Sequence, residues 1–183
     1  MNWNTSKALG GGRILALLGL TGALLSASGG TLAANDPHDG PVGTWLVQVT
    51  VRDCTTNAPL GPSFNSLVTL HDGGTISEST GSFTPGQRSD GHGIWTQRTR
   101  RTIAQRMVAL INFDTPANLP GTPGFDPSLP VSPGFFAGWQ TVTHTIKLVD
   151  ADHLTSAGTN AFYKTSGELY RSGCSTAAGQ RFE

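Results

Sequence analysis

Helical periodicity, charge of one sign and cysteine are what this chain has least of. Charged residues make up 13% of 183 positions, and 12 basic residues stand against 12 acidic ones. Nucleic-acid binding needs a clustered basic face, which a chain so sparsely charged does not offer. No Gly-x-Ser-x-Gly occurs, so a hydrolase nucleophile elbow has no support. No glycine loop precedes a helix, which removes a phosphate cradle. The five histidines, at 38, 71, 92, 144 and 153, are scattered without metal-ligand spacing. No metal and no cofactor is expected.

There are two cysteines, Cys54 and Cys174. Neither has a histidine or cysteine at the short spacing a metal pair needs. In an exported chain an even count reads first as a disulfide.

The N-terminus points to export. Lys7 and Arg13 precede the apolar run "ILALLGLTGALL", and small residues lead to "TLAAN". This is the layout of a secretory signal over 1–34, cleaved near Ala33 or Ala34. The alternative is an uncleaved membrane anchor, since Ile14 to Asn35 carries no charge over about the length of a span. Its second half is rich in Gly, Ser and Thr, which favours the cleaved signal and leaves no stable anchor. No cysteine lies in this segment for a lipid anchor, and no twin arginine appears. The expected location is periplasmic or extracellular. Loss of Lys7 and Arg13 tips the remaining charge to the acidic side.

Residues 35–42 read as a linker and 43–183 as one domain, large enough to bury a core unaided. Short alternating runs broken by Gly, Pro, Asn and Asp clusters dominate it, the pattern of an all-β domain with no major helix. "GTWLVQVTVRDC" is the clearest strand, with Trp45, Val47, Val49 and Val51 on one face. "SFNSLVTL" follows, then the tight turn "HDGG" and a polar strand "TISESTGSF". "IWTQRTRR", "TIAQRMVALINF", "FFAGWQTVTHTIKLVD" and "DHLTSAGTNAFY" read as strands four to seven. "ELYRSGCSTAAGQRFE" is the last, with a bend expected at Gly173. Residues 114–134 hold six of the eleven prolines and form a long loop.

Eight strands joined by hairpins suggest a single closed antiparallel up-and-down barrel. A Cys54–Cys174 bond supports closure, because only a closed barrel makes its first and last strands neighbours. Placing Cys54 opposite Cys174 pairs Val47 with Arg181 and Trp45 with Glu183. Trp45 and Arg181 are then diagonal neighbours within stacking reach.

Gly43-Thr44-Trp45 at the start of the first strand, with Arg181 in the last, resembles the lipocalins and their calycin relatives. In those barrels a terminal arginine packs on the Gly-x-Trp tryptophan, so the resemblance implies a structural role for Trp45 and Arg181. The Thr-Asp-Tyr turn of lipocalins is missing. The likeness therefore extends to the wider calycin architecture, including allene oxide cyclase and dirigent barrels. The run from Asp53 to Trp95 also resembles uncharacterised bacterial exported proteins, which implies no function.

The candidate chemical residues follow from this frame. His92 in "RSDGHGIW" reads as a turn or rim residue, with Gly91 and Gly93 fitting positive φ. His144 alternates with Gln140, Val142, Ile146 and Leu148 on a face that should look inward. An unpaired buried imidazole costs about 1–3 kcal/mol, so it needs a partner, for which Glu78 and Gln105 are the inward candidates. Arg98, Arg100, Arg101 and Arg106 read as a solvated face, with a ligand carboxylate at the barrel mouth as the alternative for Arg98 or Arg100. Trp95 and Trp139 are packing residues, and Phe125, Phe135 and Phe136 belong to a lid or pack on the wall.

The leading expectation is a barrel holding a small apolar molecule, contacted by His144, Gln105, Arg98, Trp95 and Phe136. A cofactor-free cyclase, isomerase or lyase is the alternative, with His144 and Glu78 as acid and base. A filled barrel acting as an extracellular interaction protein is the third. The fold does not choose among them.

Overall fold

A computed structural model describes residues 40–129 and 131–182. The signal segment expected over 1–34 and most of the linker lie outside these. The described chain has eight strands: β1 (Gly43–Arg52), β2 (Phe64–Leu70), β3 (Thr75–Thr80), β4 (Gly91–Thr99), β5 (Thr102–Ile111), β6 (Gly138–Leu148), β7 (His153–Lys164) and β8 (Leu169–Arg181). They close into one barrel in sequence order, every neighbouring pair antiparallel. No helix occurs among the described residues.

Alternation sets the faces. Trp45 and Val47 of β1, Val68 and Leu70 of β2, and Val142, Ile146 and Leu148 of β6 are buried. The alternate positions, such as Leu46 of β1, Leu67 of β2 and Thr143, Thr145 and Lys147 of β6, look outward. One end of the barrel is plugged by Trp45, Leu70, Ile76 and Ile103, the most deeply buried large side chains. Arg181 seals that end. Its guanidinium lies 4.3 Å from the Trp45 ring and donates to the carbonyls of Gly40, Val42 and Ala151. A desolvated cation–π contact of this kind contributes about 2 kcal/mol.

The register differs from the one the cysteines suggested. Trp45 pairs directly with Arg181 and Val47 with Gly179, a shift of two residues. The reason is local. β1 ends at Arg52, which pairs with Cys174, and Cys54 lies beyond it in a turn. The Cys54–Cys174 disulfide is present, with a Cα–Cα distance of 5.2 Å, but it reaches from a turn to a strand. A shift of two preserves the faces, so the inward set survives the correction.

Two boundaries also move. β4 begins at Gly91, so His92 sits on a strand, exposed, opposite Ser77 and Val108. Gly91 and Gly93 do not have positive φ. Glycine at 93 serves close approach, since a Cβ there would meet the Arg106 carbonyl oxygen at 2.1 Å. In β8 the irregularity falls at Tyr170, skipped between the Phe162–Arg171 and Tyr163–Leu169 pairs, and not at Gly173.

The proline-rich segment is an organised loop. Thr115 bridges Phe135 and Asn118 bridges Ser132, which draws its ends together. The buried Asn118 side chain holds the middle, donating to the Asp126 and Leu129 carbonyls and accepting from the Asp126 N–H.

Candidate functional site

Above the plug the barrel is hollow. A cavity of about 680 Å³ opens toward the loops after β1, β3, β5 and β7. Its wall is mostly apolar, including Val47, Val49, Val68, Met107 and Val142. Phe135 from the proline-rich loop stands at the mouth, edge-on to Phe83 with ring centroids 4.8 Å apart. Arg171 stacks on its ring at 4.8 Å. The disulfide lies at this end, beside the mouth-lining residues of the β1–β2 loop and of β8.

Polar groups interrupt the wall in two clusters. The first is built on Glu78, which points inward from β3 and is buried. Arg88 enters from the β3–β4 loop and donates from Nη2 to Glu78 Oε2 at 2.8 Å. Its Nε donates to Gln140 Oε1 at 2.8 Å. Ser66 Oγ donates to Glu78 Oε1 at 2.6 Å. The pair is neutral overall and its atoms are engaged, as a buried ion pair requires.

The second cluster surrounds His144. Its Nδ1 lies 3.1 Å from Ser156 Oγ, and its Nε2 lies 3.0 Å from Ser175 Oγ. Asn160 Nδ2 donates to Ser175 Oγ at 3.5 Å. Gly158 is the cross-strand neighbour of His144 and makes room for its ring, since a Cβ there would meet Cδ2 at 2.5 Å. Burial disfavours the imidazolium and pushes the His144 pKa down to about 4. His144 is therefore neutral at pH 7.

Gln105 is the other cross-strand neighbour of His144, on β5. It is 6% exposed and lines the cavity. Its Oε1 is buried with no hydrogen-bond partner among the described residues.

No family model matches the chain, and no curated protein matches it either. The assignment of roles therefore rests on placement. The structure brings His144, Gln105 and Glu78 to one cavity. The partners of His144 are Ser156 and Ser175, and Glu78 partners Arg88 instead.

Arg98, Trp95 and Phe136 do not line the cavity. Arg98 is exposed on β4, and Arg100 and Arg101 form the β4–β5 turn at the plugged end, far from the mouth. Trp95 packs near that plug and donates from Nε1 to the His71 carbonyl. Phe136 is turned out against Tyr170 with Lys164 over its ring, because Thr115 pairs with Phe135 and aims that side chain at the mouth. Among the described residues no three His, Cys, Asp or Glu side chains gather as metal ligands.

Sequence reasoning missed Ser156 and Ser175, and it did not pair Arg88 with Glu78. Arg88 had a signal: an inward glutamate needs a cation, and this arginine is the next one along the chain. The serines had only their inward parity on β7 and β8.

Proposed function

We propose that the chain is an exported barrel that holds one small, mostly apolar molecule in its interior, on a lipocalin-like or broader calycin plan. The observation that carries this is the hollow interior. A volume of about 680 Å³, apolar walls and a few convergent polar groups are the usual features of a ligand pocket. That hollow favours binding over the filled-barrel reading. The disulfide is compatible with export to the periplasm or the extracellular space.

The alternative is a cofactor-free cyclase, isomerase or lyase using His144 and Glu78. Binding is favoured over it for two reasons. Glu78 is occupied by Arg88 and Ser66. A histidine with a pKa of about 4 is a weak base at neutral pH, whereas efficient general bases titrate near their working pH.

Titration with the neutral fluorophore N-phenyl-1-naphthylamine tests the reading. One saturable site is expected in the native protein. Ala177→Trp, which fills the cavity from β8, should abolish it while cooperative unfolding is retained. Absence of saturable binding, or binding unaffected by Ala177→Trp, would overturn the proposal.

A further inference from the structure

The polar groups around His144 carry information about the ligand's head group, on the reading that the cavity binds a small molecule. Neutral imidazole has one N–H and one bare nitrogen. Its two partners are both serine hydroxyls, each with a single proton to give. In either tautomer one serine donates to the bare nitrogen and the other accepts from the N–H. The accepting serine keeps its proton. Among the described residues Ser156 and Ser175 have no further acceptor, and both line the cavity. The cluster thus always has one hydroxyl donor to spare.

Beside it, Gln105 has an acceptor to spare in Oε1. The oxygen is buried as placed; the terminal torsion of glutamine is broad and two-fold, so a turn of the amide would present it to the cavity. A buried acceptor left unmade is costly, which favours any ligand that brings a donor.

The charges argue against an anionic head at this depth. Arg88 is compensated by Glu78, and His144 contributes no cation at neutral pH. A carboxylate placed here would be buried without a counter-charge and would have no proton for Gln105.

The geometry points to a neutral alcohol as the ligand class. Its hydroxyl seats between Gln105 and the His144 serines, donating to the Gln105 carbonyl and accepting from a serine hydroxyl. Its apolar body runs along the wall toward Phe135. The rival is an acid whose carboxylate stays at the mouth beside Arg171.

Displacement of bound N-phenyl-1-naphthylamine at pH 7 separates these. The competitors are octan-1-ol, its isomer heptyl methyl ether, and octanoate. The ether has the same heavy atoms as the alcohol but no donor. Octan-1-ol should displace the fluorophore at concentrations roughly tenfold lower than either of the others, the effect of one buried hydrogen bond left unmade.

Gln105→Met should bring the alcohol to within about threefold of the ether, each displacement scaled to the variant's own affinity for the fluorophore. The ranking in the native protein needs no variant, so it decides the matter even if Gln105→Met fails to fold. Equal potency of alcohol and ether overturns the proposal. So does preference for octanoate, which would move the polar head to Arg171, or an alcohol preference that survives Gln105→Met. If the fluorophore itself does not bind, the small-molecule reading falls and takes this inference with it. If it binds without alcohol preference, only this inference falls.

Discussion

His144 should make the barrel sensitive to mild acid. Its pKa falls from an ordinary 6.5 to about 4 because burial disfavours the charged ring. Between those values the unfolded chain binds a proton that the folded chain does not. Stability linked to this site is therefore fully present above pH 6.5 and is lost as the pH falls toward 4. At 1.36 kcal/mol per pKa unit the gap amounts to about 3 kcal/mol. The site is 7% exposed, so solvent screening removes little of it.

The comparison is between the native protein and His144→Gln, which keeps a donor and an acceptor for the two serines but cannot titrate. Urea unfolding followed by tryptophan fluorescence, in steps from pH 7.5 to 4, gives both stability curves. The exposed His71, His92 and His153, the Glu78–Arg88 pair across the cavity and the outer carboxylates are common to both proteins and cancel in the difference. The native protein should lose about 3 kcal/mol more than the variant, at a slope approaching ~1.4 kcal/mol per pH unit. Parallel curves would refute the argument. They would mean that the imidazole is hydrated in the folded protein and that the cluster is not sealed by the wall.

Two further outcomes follow from the fold. Arg88→Met leaves the Glu78 carboxylate buried without a partner and should cost about 3–5 kcal/mol in urea unfolding. The double variant Arg88→Met with Glu78→Leu should recover most of that loss, and failure to recover would show that the pair stabilises beyond mutual compensation. Replacing both Cys54 and Cys174 with alanine releases a link across 120 residues, with an expected loss of up to about 5 kcal/mol from the chain-entropy estimate. Unchanged stability under reduction would show that the strand ladder alone holds the ends.

The barrel was readable because its information is local and repetitive. Trp45, Val47 and Val49 alternate with outward residues, and a period of two survives errors of boundary. The same period explains why the two-residue register error, which set Arg181 opposite Val47 instead of Trp45, reversed no face. The bond pattern beyond the ladder was less legible. Cys54 lies in a turn, and no rule of alternation says how far a turn residue reaches.

The cavity was half legible. His144, Gln105 and Glu78 announced themselves as polar residues at inward positions. Arg88 did not, because it enters from a loop, where parity has no meaning. Phe135 and Phe136 differ only in which way a loop backbone turns, and that is set by the distant partner Thr115. Trp95 and Arg98 were assigned to the ligand from residue type, while their height along the barrel depends on which end is plugged.

Closure by β1 against β8 has a consequence for the order of events. The strands that complete the wall are the first and the last in the chain, so their pairing is the least local contact in the fold and the slowest kind to form. Until β8 is in place Trp45 has no arginine over it, His144 lacks Ser175, and Cys54 has no partner. The seal over the plug, the polar cluster and the covalent tie thus all depend on the last strand. A chain interrupted before its last strand would lack more than stability, because without that strand there is no enclosed space.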